Sequence, residues 1–275
     1  MHSWEPMGRR RTRAPSPGSS EAGVGRQLLS FAVVLLGLSL VFYLVGPVIG
    51  SLSRFTRANV PAAALMAVCP ACAAVLVARR SGQFADLVEM VTRLPRLLDW
   101  SWLVAVLGMP AVIALGALLS GQGGGYTAPG WSALALAVAY VVAAVGEEIG
   151  WTAFVLPRLE PVTGELVAGL TIGAVWGLWH VVPYVEAGHT AGWVLGQWVF
   201  SVVFRVLLVR LALWQGGSMW PVVAAHASYN LAWSLSPDAG AGYDPWIAAG
   251  LTAVLVVITY TLTRTPLDER RSRHA

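Results

Sequence analysis

Apolar residues along the chain fall into eight long runs, separated by short connections rich in glycine, proline and arginine. Each run is roughly 17 to 25 residues long, which is the length an α-helix needs to cross the hydrocarbon core of a bilayer. The runs predict eight transmembrane helices, at residues 28–49, 60–78, 100–119, 131–156, 166–185, 192–214, 218–235 and 246–262. Residues 84–98 have apolar and charged positions at helical spacing and predict a helix lying along the cytoplasmic interface.

Composition agrees with a membrane environment. Hydrophobic residues make up 56% of the chain and charged residues 12%, and the mean hydropathy is +0.65. These values lie far from the balance of a soluble domain. The sequence therefore predicts an all-α, multi-pass protein of the cell membrane with the lipid bilayer as its surroundings. We expect a disordered basic tail at 1–27, one transmembrane domain at 28–264 and a cytoplasmic tail at 265–275.

The arginines predict the orientation, because cytoplasmic loops are enriched in basic residues. Clusters of arginine precede the first predicted helix, follow the second and follow the eighth, whereas the predicted outer loops contain only Arg54 and Arg57. Both termini are therefore predicted to be cytoplasmic, which an even number of helices requires. This bias accounts for the net charge of +4. We predict no nucleic-acid partner from it.

A few polar side chains fall inside the predicted helices, where each is costly to keep and is by default a functional candidate. They are Glu147, Glu148, His180, Arg205, His226 and Asn230. At about 1.5 Å of rise per residue, the glutamates and histidines lie roughly 12 to 21 Å from the cytoplasmic ends of their helices. Three helices can therefore present these groups to one cavity in the cytoplasmic half of the membrane.

Spacing separates the roles of these side chains. His226 and Asn230 are four residues apart, so they share a helix face and can address the same ligand. Glu147 and Glu148 are adjacent and point about 100° apart around the helix. We therefore expect one glutamate to take part in chemistry and the other to support the site.

Three segments carry a resemblance: "EEIGWTAFVLPRL", "GAVWGLWHVVPY" and "AAHASYNL". They resemble the signature segments of the CPBP family, which comprises type II CAAX prenyl endopeptidases and bacteriocin-processing (Abi) intramembrane proteases. The family pattern is Glu-Glu-x-x-x-Arg, Phe-x-x-x-His and His-x-x-x-Asn on core helices of an eight-helix fold. The similarity covers residues 146–231, within a predicted core at 131–235.

The resemblance implies a role for each matching residue. Glu147 and His180 would activate the attacking water, His226 and Asn230 would stabilise the oxyanion, and Glu148 would orient its neighbours. The substrate would be a peptide or a protein, prenylated or not. Two versions of the chemistry stay open: Zn²⁺ held by Glu147, His180 and His226, or a glutamate-dependent reaction without a metal ion.

The chain departs from the family pattern at two positions. Thr152 stands where the family has arginine, and it cannot neutralise a buried carboxylate. Trp176 stands where the family has phenylalanine, and we expect this exchange to reshape the cavity wall. Arg205 is a candidate compensating cation for Thr152. In the alternative, the sixth helix ends early and Arg205 and Arg210 lie at the cytoplasmic interface.

Two functions of other classes also stay open. Thr152 favours a non-catalytic scaffold or bacteriocin immunity protein of the same fold. A proton-coupled transporter could use the same carboxylates and histidines as a relay. Transporters of that kind are often built from internal repeats. The first three predicted helices have no counterpart of the polar groups in the fourth to seventh.

Overall fold

The computed structural model describes residues 17–50, 62–121, 130–236 and 242–262, and every regular element in these ranges is helical. The α-helices are α1 Pro17–Ile49, α2 Cys69–Arg80, α3 Phe84–Thr92, α4 Ser101–Leu103, α5 Met109–Leu119, α6 Trp131–Gly150, α7 Leu156–Thr163, α8 Glu165–Trp179, α9 Val181–Glu186, α10 Ala191–Trp214, α11 Trp220–Leu235 and α12 Pro245–Leu262. A 3₁₀ segment, Ala62–Val68, precedes α2. Single π-helical turns join α4 to α5 (Val104–Gly108) and α6 to α7 (Trp151–Val155).

The helices confirm the all-α, multi-pass membrane class. Within the described ranges, four continuous helical stretches are long and apolar enough to cross a membrane: Gly23–Ile49, Ser101–Leu119, Trp131–Thr163 and Ala191–Trp214. Glu165–Trp179 and Pro245–Thr261 are shorter apolar helices. The number of eight spans and the cytoplasmic placement of both termini stay predictions.

Two predicted boundaries differ from the structure. α1 begins at Pro17, so the predicted disordered tail is helical from that residue onward, while residues 1–16 and 263–275 lie outside the described ranges. At the end of the predicted tail, Gln27 Oε1 accepts a hydrogen bond from Arg158 Nε at 2.8 Å. The helix predicted at 84–98 is observed as α3 but ends at Thr92, and its place at the cytoplasmic interface stays a prediction. Arg93 is extended there, two residues before Pro95, which disfavours helical backbone at the residue preceding it.

The fifth predicted helix is interrupted at His180, between α8 and α9. Pro183 lacks the backbone N–H that would bond the carbonyl oxygen of Trp179 four residues earlier. The hydroxyl of Tyr43 on α1 donates to that carbonyl instead, at 2.6 Å. The break thus places His180 at the end of α8 rather than within a continuous span.

Glycines bring α8 against α10. Gly169, Gly173 and Gly177 recur every fourth residue, so they form one small face of α8. A Cβ on Gly173 would lie 2.7 Å from Val202 Cα, and one on Gly169 would lie 3.0 Å from Val206 Cα. Only glycine permits this approach, which carries the residues at the end of α8 toward the buried face of α10.

We expect Gly173→Ala to destabilise the fold, because the added methyl group meets backbone rather than a movable side chain. Overpacking of this kind costs about 1–3 kcal/mol. The thermal unfolding midpoint of purified protein in detergent measures the effect. Gly250→Ala on α12 is the matched control, since its added Cβ has no atom within 4 Å and should leave the midpoint unchanged or raise it. Equal midpoints for both variants would contradict the proposed packing.

Candidate functional site

Both glutamates of the Glu-Glu pair are buried near the end of α6. The exposed fraction is 5% for Glu147 and 0% for Glu148. Gly146 and Gly150 flank them and let α6 approach the 3₁₀ segment and the start of α2, because a Cβ at Gly146 would lie 2.7 Å from Ala67 O and one at Gly150 2.8 Å from Pro70 O. The π turn Trp151–Val155 follows directly, and such turns are frequent at functional sites.

Glu148 is surrounded by hydrogen-bond donors. Its Oε2 accepts from Arg205 Nη1 at 2.7 Å and from Thr152 Oγ1 at 2.5 Å, and its Oε1 lies 2.9 Å from His226 Nδ1. Arg205 is 1% exposed, so both members of the ion pair are removed from solvent. A buried charge is tolerated when it is paired and hydrogen-bonded in this way. Glu148 therefore joins α6, α10 and α11 through one carboxylate.

Arg205 lies where a compensating cation is needed. The helix does not end early: α10 continues to Trp214, and both Arg205 and Arg210 are 1% exposed, so neither arginine is solvated. Arg210 Nη1 is 3.2 Å from Glu165 Oε2 instead. Arg205 thus brings a positive charge from α10 to the carboxylate that the family arginine would approach from the position of Thr152.

Glu147 points to a different set of partners. Its Oε2 accepts a hydrogen bond from Trp176 Nε1 at 2.6 Å and lies 3.8 Å from His180 Nε2. The two adjacent carboxylates therefore have separate sets of partners, because neighbouring helix positions point about 100° apart. The expectation that Trp176 only reshapes the cavity wall is wrong, because its indole N–H binds Glu147.

Hydrogen bonds determine which nitrogen of each histidine carries a proton. His180 Nδ1 lies 2.9 Å from the carbonyl oxygen of Trp176, which can only accept, so Nδ1 donates. His226 Nδ1 likewise donates to the Glu148 carboxylate. In the neutral form of either ring, Nε2 then carries the lone pair. Nε2 is the nitrogen of each histidine left for chemistry.

One cavity of about 200 Å³ is lined by four of the five predicted catalytic residues. They are Glu147, His180, His226 and Asn230, whereas Glu148 lies behind the wall. Asn230 follows His226 by one turn of α11, as the spacing predicted. Aromatic rings form much of the remaining wall, including Trp176, Trp179, Phe200 and Trp233. A largely apolar cavity with few convergent polar groups has the character of a ligand site.

Away from Glu147, the cavity wall contains a neutral hydrogen-bond network that sequence reasoning missed. Gln197 donates to Tyr229 Oη at 3.0 Å and accepts from Tyr243 Oη at 3.0 Å. The ring of Tyr184 stacks on that of His180 at 5.8 Å. Gln197 is polar and lies within a predicted helix, which is the signal that could have identified it.

His189, in the connection between α9 and α10, also lines this cavity. Its ring stacks on Trp193 with centroids 3.6 Å apart and an interplanar angle of 6°. Burial lowers the pKa of His189, because it disfavours the charged imidazolium. His189 is therefore a third imidazole at the cavity, and the contact described for its ring is with Trp193 rather than with either glutamate.

The three residues proposed as zinc ligands are not clustered as a metal site in the described ranges, where no group of three His, Cys, Asp or Glu side chains is arranged to hold a metal ion. The hydrogen bonds of His180 and His226 occupy Nδ1, so Nε2 of each ring keeps its lone pair in the neutral form. Dependence on zinc stays a prediction.

Comparison with known proteins agrees with this site. Residues 129–232 match the family model described as Type II CAAX prenyl endopeptidase Rce1-like. The matched region begins just before α6 and ends within α11, so it contains both glutamates, both histidines and Asn230. No curated protein matches the chain.

Proposed function

Since residues 129–232 form an Rce1-like type II CAAX prenyl endopeptidase domain, consistent with the CPBP family, we propose that the protein hydrolyses a peptide bond with a water molecule activated by Glu147 and His180. At the family level, the domain supports an intramembrane endopeptidase in a multi-pass membrane protein. The observation that carries the proposal is the shared cavity, which Glu147, His180, His226 and Asn230 all line. The substrate is a peptide or protein, with or without a prenyl group.

The proposed reaction begins with a water molecule between Glu147 and His180. Glu147 offers carboxylate oxygens and neutral His180 offers the Nε2 lone pair, so the water can donate a hydrogen bond to each. The water oxygen forms a bond to the carbonyl carbon of the substrate while its proton passes to Glu147. Glu147 then delivers that proton to the departing amine as the C–N bond breaks. No covalent intermediate with the protein is formed.

The carbonyl oxygen becomes an oxyanion during the attack. Asn230 can donate an amide N–H to it, and His226, with a second proton on Nε2, can donate from the ring. Glu148 holds His226 by accepting from Nδ1 at 2.9 Å, and Arg205 balances the charge of Glu148. Glu148 thus acts through His226 rather than on substrate. All proposed steps use side chains of this chain and none uses a metal ion.

The experiment is hydrolysis of quenched-fluorescent peptides, prenylated and unprenylated, by purified protein in lipid vesicles. We expect His180→Ala to lower kcat by roughly 10²- to 10⁴-fold, the usual contribution of a positioned acid or base. His189→Ala is the matched control, because it removes an imidazole from the same cavity away from the glutamates. A zinc chelator in a parallel arm tests metal dependence.

The outcomes separate the candidate functions. Loss of cleavage in His180→Ala with cleavage retained in His189→Ala supports the endopeptidase. Equal loss in both variants would indicate that cavity packing, rather than a specific base, had been disturbed. A folded native protein that cleaves no peptide would favour the non-catalytic scaffold. Comparison of the two peptide types identifies whether the substrate carries a prenyl group.

A further inference from the structure

Trp176 contacts Glu147 directly and also contacts the residues that bind Glu148. Its indole N–H donates to Glu147 Oε2 at 2.6 Å, and its carbonyl oxygen accepts from His180 Nδ1 at 2.9 Å. Its ring lies edge-on to the rings of His180 and His226, with centroids 5.1 and 5.3 Å apart. The guanidinium of Arg205 lies over the same ring, 4.3 Å from the centroid. Trp176 therefore lies between Glu147 with its neighbour His180 and Glu148 with its partners Arg205 and His226.

The indole N–H makes the two carboxylate oxygens of Glu147 inequivalent. Oε2 is bonded to Trp176, whereas Oε1 accepts no hydrogen bond from the described residues, and Glu147 lines the cavity. The terminal torsion of a glutamate is soft and has two nearly equivalent states. A strong donor on one oxygen removes this freedom, and a hydrogen bond to a charged acceptor is among the stronger ones in proteins. The other oxygen, Oε1, then keeps its lone pairs for a water molecule.

Arg205 gives the indole ring a second anchor. Two of its nitrogens, Nε and Nη2, have no hydrogen-bond partner among the described residues, and the ring face beneath the guanidinium attracts its charge. Arg205 is itself held by Glu148 at 2.7 Å. The chain of contacts from Glu148 through Arg205 to Trp176 thus ends at Glu147.

We propose that Trp176 is a positioning residue, whose indole N–H holds one oxygen of Glu147 so that the other faces the cavity as the base for water. The inference rests on the proposed hydrolytic function. Trp176 stands where the family pattern has phenylalanine. A phenyl ring has no N–H to donate, so this role is available only to the tryptophan of this chain. In this chain the orientation of the glutamate depends on a hydrogen bond as well as on packing.

The test replaces only the N–H group. Trp176→3-benzothienylalanine, introduced by amber suppression, keeps the size and the aromatic face of the ring but exchanges N–H for sulfur. We expect kcat for peptide hydrolysis to fall by about ten- to a hundredfold with KM within about twofold, as for the loss of one hydrogen bond to a charged group. A purely structural role would leave kcat unchanged or would raise KM, and either result would overturn the proposal.

Trp198 supplies the matched control. Its indole N–H donates to the carbonyl oxygen of Ala174 at 3.0 Å, so it joins α10 to α8, but Trp198 is not among the residues that line the cavity. Trp198→3-benzothienylalanine should therefore leave kcat close to that of the native chain. A fall equal to that of the Trp176 variant would show that kcat responds to the loss of any indole N–H that bonds α8 to a neighbouring helix, and would reject a specific bond to Glu147.

A second readout does not depend on catalysis. In protein labelled with ¹⁵N-tryptophan, Trp176→Phe identifies the indole N–H resonance of Trp176. We expect Glu147→Ala to displace that resonance and to leave the Trp198 resonance in place. An unmoved Trp176 resonance would refute the hydrogen bond even in an active enzyme. A displaced resonance in a protein that cleaves no peptide would retain the contact and reject the hydrolytic function.

Discussion

Glu147→Gln should abolish peptide hydrolysis while leaving the protein folded. Glutamine keeps the shape of the side chain, and its carbonyl oxygen can still accept the hydrogen bond from Trp176 Nε1. The amide cannot take a proton from water, so we expect kcat to fall by about 10²- to 10⁴-fold. Turnover of a cleavable peptide in lipid vesicles, together with the thermal unfolding midpoint of each variant, measures the two effects separately.

Glu148→Gln is the control on the adjacent residue, and we expect it to lower the unfolding midpoint of the protein. It removes the negative charge facing Arg205, which is 1% exposed, and leaves a buried cation without a counter-charge. Loss of one partner from a buried ion pair costs about 3–5 kcal/mol. The unfolding midpoint should therefore fall well below that of Glu147→Gln. Similar midpoints and similar turnover for the two variants would contradict the division of roles between the glutamates.

Arg205→Ala should destabilise the protein strongly, and Thr152→Arg in the same chain should restore part of the loss. Arg205→Ala leaves Glu148 as a buried carboxylate without a cation, at a cost of about 3–5 kcal/mol. Thr152 Oγ1 already lies 2.5 Å from Glu148 Oε2, so arginine at this position can carry a guanidinium into the space that Arg205 vacates. The unfolding midpoints of the native chain, both single variants and the double variant form a double-mutant cycle.

The sign of the coupling is the decisive result of that cycle. Thr152→Arg alone should destabilise, because it adds a second cation to a site that already holds one. A double variant no more stable than Arg205→Ala would mean that the two positions do not address the same carboxylate. Arg210→Ala is the matched control on α10, since its partner Glu165 is 14% exposed and can be hydrated after the change. It should cost less than Arg205→Ala, and Thr152→Arg should not rescue it.

Much of the site was predictable because polar groups at membrane depth are rare. Glu147, His180, His226 and Asn230 were candidates on that ground alone, and all four line one cavity. Their spacing also indicated that Glu147 and Glu148 have different partners, since adjacent helix positions point in different directions. Whether these residues catalyse a reaction stays a prediction, as does the dependence on zinc.

The contacts of Trp176 and Arg205 could not be predicted from the sequence. A tryptophan in an apolar run is expected to pack against other apolar side chains. Nothing in the local pattern indicates which acceptor its N–H will bind. For Arg205, depth along the helix left two placements open, because the sequence did not determine where α10 ends. The contact with Glu148 spans 57 positions of the chain, so no local spacing rule applies to it.

By itself, the sequence determined that this protein is an all-α membrane protein with a small set of buried polar groups, because the cost of polar groups in lipid leaves few alternatives. The tertiary structure decided which groups meet. The break at His180 depends on Pro183 and Tyr43, and the approach of α8 to α10 depends on the absence of a Cβ at Gly173. Contacts of this kind depend on atoms from several helices at once, whereas the membrane acts on each helix separately.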